Sequence, residues 1–425
     1  MDVVLTIICA TIVIGLLVFI HEGGHFLAAR AFGVRVTEFM LGMPGPSVGF
    51  TRGETRFGVT CVPLGGYARV CGMEPGEMSP HLEGVLASLY RRGTATMEDV
   101  AADCGITPDE AYDALEELVE WGSATGPTKQ DKYNTYRTPA FAPTKRQMKR
   151  AAARGETLRV WKLGEPRLGA ASAVSPDCVS PAVGSVAEAA GSHAPAIGAT
   201  SAARTSSAVA SADADVAAAP AVVNDSASEH ALFESEYRQQ YRALPFWKRA
   251  VILVAGPGTN LLFTILAFVV LYSIIGIDYR FADTGEVVHV TLTPLQAIQG
   301  GFLYIGMVVQ AIAGLFNPAT AAETVSQSTS IVGIAIMSKD ALSAGIESAI
   351  SFTAMISVSL GLMNLLPIPP LDGGKLVIEI VQKISRRIAS PRVVGYVSMA
   401  GMVLFIGFFA IMLNQDIQRF VFGNW

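Results

Sequence analysis

The chain has 425 residues and a mean hydropathy of +0.42. Hydrophobic residues make up 51% of it and charged residues only 16%, where a soluble domain carries about 25% charged residues. That balance excludes an ordinary soluble protein and indicates a membrane protein. The net charge of -5 points to no particular partner, and the five scattered cysteines, odd in number and without C-x-x-C spacing, suggest neither a disulfide framework nor a thiolate zinc site.

Residues 3–20 carry no charge. With the motif that follows they are long enough to enter or cross a bilayer, at about 20 residues per crossing. The segment ahead of this run lacks Lys and Arg, and no small-residue cleavage site precedes His21, so the run reads as a retained span and not a signal peptide. Its end is Val18-Phe19-Ile20-His21-Glu22-Gly23-Gly24-His25-Phe26-Leu27. On a helix His21 and His25 share one face. Two imidazoles so placed can chelate zinc, and Glu22 between them is positioned to take a proton from water at the metal. Only six histidines occur in the chain, and two of them fall here. The bland alternative is a pair of polar residues fraying a helix end at the membrane surface. It is disfavoured because ionisable groups in an apolar span are costly and mark function.

Residues 32–67 change character. Short alternating pieces broken by Gly and Pro predict a hairpin-like β region. Pro63-Leu64-Gly65-Gly66-Tyr67 closes it, and Gly65 and Gly66 allow a close backbone approach or positive φ. The first unit is therefore 1–73, a transmembrane helix with the zinc motif followed by membrane-associated β-hairpins.

Residues 80–140 form an inserted unit. Helices are predicted over 82–92 and 96–104, and a third opens at Thr107-Pro108-Asp109-Glu110 and ends near Trp121-Gly122. A capping residue, a Pro at the first position and an acidic first turn mark that third start. A polar hairpin-like piece over 123–137 follows, and the whole resembles a small winged-helix α+β domain. DNA reading would be the usual inference. Here the third helix carries Asp109, Glu110, Asp113, Glu116, Glu117 and Glu120 without Lys or Arg, and would repel phosphates. The expectation is a regulatory or docking module for a cytoplasmic protein partner, not a nucleic-acid binder, with a structurally idle insertion as the competing reading. Residues 141–168 are basic, which implies a solvated charge run or contact with anionic lipid headgroups. Residues 169–230 are dominated by Ala and Ser and read as a disordered linker.

The last unit, 244–425, holds the second to fourth spans. An apolar segment over 250–277 is interrupted by Gly256-Pro257-Gly258-Thr259-Asn260. Segment 295–316 is apolar and Gly-rich, with Gln296, Gln299 and Gln310 along it. The span over 346–366 runs into Pro367-Ile368-Pro369-Pro370-Leu371-Asp372-Gly373-Gly374-Lys375, and a basic loop precedes a final span over 393–413. Zinc held by two histidines needs a third protein ligand and an open position. Asp372 is the best candidate, because its Pro/Gly-broken segment at the end of a span can bend a carboxylate inward; a capping or turn Asp is the alternative. To meet the histidines, the spans carrying both sets of ligands must run in the same direction, with one crossing between them. Segment 295–316 should then lie in the interface or re-enter. The basic residues of the 30–249 and 383–392 regions agree with this, since they place those loops in the cytoplasm. The expected architecture is an α-helical polytopic membrane protein of about four transmembrane helices plus an interfacial or re-entrant segment. It belongs in the plasma membrane with the metal site facing the cytoplasm.

Four pieces together resemble a known family: the His-Glu-x-x-His helix at 18–26, the 34–67 region ending in Pro-Leu-Gly-Gly-Tyr, the Trp-Lys-Arg-Ala…Ala-Gly-Pro…Asn stretch at 246–260, and Asn-Leu-Leu-Pro…Leu-Asp-Gly-Gly within 357–374. In that order they are similar to the site-2 proteases, intramembrane zinc metalloproteases that include the bacterial regulators of sigma-E. The resemblance implies that His21, His25 and Asp372 bind Zn2+ and that Glu22 activates the water. It implies that the hairpins, with Gly65 and Gly66, offer a strand edge to an unwound substrate helix, and that Asn364, with Asn260 in a similar part, holds the substrate backbone. Expected substrates are single-pass membrane proteins such as anti-sigma factors or remnant signal peptides. Two departures stand out: the 278–293 loop is too short for the family's PDZ domains, and the 74–244 insertion is not part of the usual pattern. A non-catalytic scaffold that binds transmembrane helices and signals through the insertion is the alternative, and the intact Glu22 argues against it. A zinc transporter is disfavoured by the single His pair and the lack of a further intramembrane carboxylate array.

Overall fold

The computed structural model describes residues 2–62, 65–73, 78–128, 131, 133–153, 159–168, 226–280, 287–386, 390–420 and 422. Helix α1 (Asp2–Ala31) is an unbroken 30-residue helix, as its proline-free apolar sequence requires. Four strands follow: β1 (Val36–Leu41), β2 (Ser47–Arg52), β3 (Thr55–Thr60) and β4 (Gly66–Val70). They form one mixed sheet in the order β2-β3-β1-β4, in which β1 runs parallel to β3 and antiparallel to β4. A row of hairpins was expected, and only β2–β3 is one. The reason lies in β1, whose Val36, Phe39 and Met40 are buried and take the central place. Aromatic edges fasten the sheet to α1, with Phe19 and Phe26 against Phe39 at 5.6 and 5.5 Å between ring centres and Phe26 against Phe57 at 5.6 Å.

The inserted unit has its own core. Helix α2 (Leu82–Arg92), strand β5 (Thr94–Thr96), helix α3 (Met97–Cys104), helix α4 (Pro108–Glu120) and strand β6 (Thr135–Arg137) surround Leu86, Leu89, Leu115, Leu118, Trp121 and Tyr136. Thr96 and Thr107 form capping boxes with Asp99 and Glu110, which start α3 and α4. Strands β5 and β6 are antiparallel, and Thr125 bridges Arg137. The basic segment contains α5 (Lys145–Ala152) and then returns to the insert, where Arg167 and Leu168 donate their N–H groups to the Tyr90 carbonyl. Of the expected disordered linker, residues 169–225 lie outside the described residues. Its last residues open α6 (Ser226–Tyr237), whose Leu232, Phe233 and Tyr237 pack on the insert core.

Helix α7 (Phe246–Val269) continues as a π-helical turn through Ile275 and is the hub of the apolar bundle. Beyond it come the hairpin β7 (Ile277–Arg280) and β8 (Val287–Val290), then α8 (Pro294–Gly314), α9 (Ala321–Gln327), α10 (Ile331–Ala344), α11 (Ile346–Asn364), α12 (Asp372–Ser385) and α13 (Pro391–Phe420). Helix α7 packs on α1, α8, α11 and α12. Side-chain hydroxyls tie it in: Thr259 donates to the Ile20 carbonyl at 3.0 Å, Thr264 to the Ala354 carbonyl at 3.2 Å, and Ser357 donates to the Asn260 carbonyl at 2.9 Å. Among the described residues five helices are long and apolar enough to cross a membrane: α1, α7, α8, α11 and α13. Helix α8 is the segment expected in the interface. Helix α10 had no counterpart among the predicted elements; at 14 residues it is too short to cross. The buried Asp416 carboxylate of α13 accepts from the N–H groups of Ser330 and Gly333 and the Ser330 hydroxyl, and so caps the start of α10.

Insert and bundle are joined by a buried ion pair. Arg35, between α1 and β1, donates to Glu236 of α6 at 2.7 Å, to Ser123 of the insert at 3.3 Å and to Gln239 at 3.0 Å. Burial pushes the Glu236 carboxyl up, but Arg35 and the Ser123 hydroxyl outweigh it and hold the group below the ordinary carboxylate range. A carboxyl held below its unfolded value adds stability that is complete above about pH 4.3 and is lost as pH falls through the folded value. Thermal melting in detergent should therefore be flat from neutral pH to about pH 5 and then decline. Glu236→Gln should remove much of that decline and cost about 3–5 kcal/mol at neutral pH, the usual penalty for breaking a buried pair. An unchanged melting profile in the variant would contradict this role.

Candidate metal centre

Helices α1, α7 and α12 build the site. On α1, His21 and His25 stand one turn apart and both are buried. Asp372 opens α12, where the positive end of the helix dipole favours a carboxylate. Its Oδ2 lies 3.1 Å from Nε2 of His21 and 3.1 Å from Nε2 of His25, and the two Nε2 atoms are 3.3 Å apart. Tetrahedral zinc with ligands at about 2.0–2.1 Å would hold its ligand atoms about 3.3 Å from one another. Two imidazoles and a carboxylate at these spacings fit zinc, and this is the metal-ligating cluster found among the described residues.

The outer ring atoms decide whether the inner nitrogens are free to ligate. His25 Nδ1–H donates to the Ile252 carbonyl at 2.8 Å, which leaves the lone pair on Nε2 facing Asp372. The Asn260 carboxamide lies 3.3 Å from His21 Nδ1, and its Oδ1 is buried without a hydrogen-bond partner. A half-turn of that amide lets Oδ1 accept Nδ1–H and gives His21 the same tautomer. One stripe of α7 therefore serves both rings: Ile252 and Gly256 face His25, and Asn260 faces His21. Gly256 is obligatory for space, because a Cβ there would overlap the His25 ring.

Glu22 accepts the Ala68 N–H of β4 at 2.9 Å through Oε2. Gly66 makes this possible, since a side chain at that position would run into Val18 of α1 and the Met40 carbonyl. Gly65 has φ +79°, the left-handed conformation that its sequence suggested. Glu22, Gly66 and Asn364 line a cleft of about 250 Å³ together with His21, His25 and Asp372. Asn260 lies 3.3 Å from His21 Nδ1. It is fully buried behind His21 and is not among the residues lining the cleft. Sequence reasoning missed the Ala68 N–H and the Ile252 carbonyl, because backbone groups leave no trace in residue identity. It also read Gly256 only as an interruption, although the spacing 252, 256, 260 is a helical stripe.

An apolar helix bundle in which two buried histidines meet a half-buried Asp beside a Glu is the arrangement of a membrane metallopeptidase site. Residues 9–408 match the family described as Peptidase family M50. The zinc metalloprotease RasP of Geobacillus kaustophilus is 24% identical over 436 residues, covering 98% of each chain. An Enterococcus faecalis protein, Eep, whose name carries the word protease, is 23% identical over 456 residues, 98% of this chain and 100% of its own. A Streptococcus pneumoniae protein named as a zinc metalloprotease is 41% identical over 91 residues, a stretch that spans 22% of that relative. The chain belongs to peptidase family M50, with zinc as its metal.

His21→Ala and Asp372→Asn should abolish stoichiometric zinc binding, read by competition with a chelating dye. Gly256→Ala should weaken it about 10–100-fold by displacing His25, in the range seen for outer partners of metal ligands. Gly258→Ala, where a Cβ meets nothing within 4 Å, should leave it unchanged. Equal losses at Gly256 and Gly258 would contradict the geometry.

Proposed function

We propose that the protein is a zinc metalloendopeptidase that hydrolyses a peptide bond in or near the transmembrane segment of single-pass membrane proteins, of the anti-sigma-factor or remnant-signal-peptide kind. The observation that carries this reading is the meeting of His21, His25 and Asp372 beside Glu22 in one cleft. His21, His25 and Asp372 are the ligands; zinc supplies Lewis-acid polarisation of the scissile carbonyl and lowers the pKa of water there. Glu22 acts as general base and then general acid, taking a proton from water and returning it to the leaving amine. The Ala68 N–H anchors one of its oxygens and so fixes the orientation of the other. Asn364 lines the same cleft, where its amide donates to the Leu360 carbonyl at 3.0 Å, and its remaining N–H is assigned to a substrate carbonyl. Asn260 is better assigned to positioning His21.

A helical segment hides its carbonyls in its own hydrogen bonds and must unwind before it can be cut. Among the described residues β4 pairs only with β1, so its outer edge beside Glu22 can take an extended peptide by strand addition. Four crossings (α1, α7, α11 and α13) are favoured over five. Leu292 N–H donates to the Tyr272 carbonyl at the end of α7, while Ser328 and Ser330 are tied to Arg419 and Asp416 at the end of α13. We read the ends of α7 and α13 as lying on one side of the membrane, with α8 joining them from that side. With the basic loops on the other side, the site faces the cytoplasm in the plasma membrane. The insert, with its three helices and small sheet, is then a cytoplasmic winged-helix-like module. Arg35 links it to β1, the neighbour of the strand that anchors Glu22, and this suits a regulatory or docking role for a protein partner.

Purified protein in detergent should cleave a tagged single-pass reporter. Glu22→Gln should reduce cleavage about 10²–10⁴-fold, the usual contribution of a general base. A chelator should abolish it, and added zinc should restore it. In the same assay, removal of residues 80–230 should alter the rate or the choice among reporters. Equal cleavage by wild type and Glu22→Gln would refute the catalytic assignment, and an unchanged profile without the insert would refute its regulatory role.

A further inference from the structure

A second cavity, larger than the cleft that contains the metal ligands, lies beside it among the described residues. It measures about 1080 Å³ and shares Ala68, Val70, Met73, Pro370 and Lys375 with the smaller cleft, so each opens into the other along β4. Its walls come from β4, α6, α7, α12, the first turns of α13 and the end of α4. Its charge is lopsided: Arg69, Arg242, Arg249, Lys375, Lys383 and Arg386 line it, against Glu120 and Glu379. Three of these cations are paired, Arg69 with Glu38, Arg242 with Glu117 and Arg249 with Glu379. Lys375 lies 3.8 Å from Asp372 at the junction of the two spaces. Among the described residues, Lys383 and Arg386 have no acidic partner.

Exposed cations on a convex surface would be ordinary solvated charge. These sit in a concave chamber whose walls include Met73, Leu253 and Ile378, and such a chamber focuses a positive potential. Lys375, Glu379, Gln382 and Lys383 form a stripe along α12, leading away from the zinc ligand Asp372, and Arg386 follows at the end of the helix in a left-handed conformation. Ala68, Arg69 and Val70 of β4 wall the same chamber, and apart from the Ala68 N–H held by Glu22 the outer edge of that strand offers backbone groups that an extended peptide can pair with and a lipid cannot.

We propose that this chamber receives the cytosolic flank of the substrate and selects for acidic residues there. At about 3.3 Å per extended residue, a chain passing Glu22 along β4 reaches the unpaired cations about four to eight residues from the scissile bond. The inference rests on the protease reading above and adds the charge of the substrate flank to it.

The test is binding, measured on Glu22→Gln protein in detergent, which cannot consume its ligand. The probes are fluorescent peptides with a 20-residue apolar segment and a flank of four Asp, four Ser or four Lys, each made with the flank before and after the segment. In at least one orientation the Asp flank should bind ten-fold or more tighter than the Lys flank at low salt, with the gap narrowing as salt is raised. Lys383→Glu with Arg386→Glu should invert the preference, and the milder Lys383→Gln with Arg386→Gln should erase it, both at unchanged zinc content. Equal affinity for the Asp and Lys flanks, or a preference that neither double variant changes, would overturn the inference. A double variant that loses co-purified phosphatidylglycerol but keeps the peptide preference would overturn it in favour of a lipid site. Failure of the protease reading is seen separately, as cleavage by the wild type that does not depend on Glu22.

Discussion

The close approach of α1 and α7 is the constraint on which the site depends. Lipid tails are as apolar as Leu, so helices in a membrane gain little by burying apolar surface against each other and rely on small residues and polar contacts. Here Gly24 of α1 meets the Ala255 carbonyl and Gly256 of α7 leaves room for the His25 ring. At that separation the Ile252 carbonyl reaches His25 Nδ1 and Asn260 reaches His21 Nδ1. The same contact that holds two helices together thus sets the orientations of the His21 and His25 rings.

A second contact couples the sheet to the Glu22 carboxylate. Glu22 is anchored by a backbone N–H of β4 and not by another side chain, so its position follows the position of the sheet. The sheet is in turn tied to the insert through Arg35, Ser123 and Glu236. A movement of the insert against α6 would therefore be felt first at β1 and then at its neighbour β4. Helix α13 contrasts with this. Its apolar stretch is essentially unburied within the chain, and the buried Asp416 holds its far end to α10.

Much of the site was legible in the sequence because its elements advertise themselves by spacing. His21 and His25 at i and i+4 fixed a shared helical face, and Asp372 followed from the need for a third ligand at the same depth. The insert's helix starts were readable because Thr96 and Thr107 carry capping signatures. What could not be read was pairing at a distance. Alternation over 34–67 indicates strands but not that β1 would sit between β3 and β4, because register depends on which residues the core needs buried. Likewise Leu232, Phe233 and Tyr237 follow a long Ala/Ser-rich stretch, and nothing local says that they complete the core around Trp121. The burial of Asn260 against His21 depends on a helix crossing that sequence alone does not determine.

X-ray absorption at the zinc edge of the purified protein tests the metal centre most directly. Two imidazole nitrogens from His21 and His25 and oxygen from Asp372 should appear at about 2.0–2.1 Å, with the multiple scattering of two rings. His25→Ala should remove one ring from that signal. A sulfur shell at about 2.3 Å, or a spectrum without imidazole scattering, would show that the zinc is held elsewhere and that the convergence of α1, α7 and α12 serves another purpose.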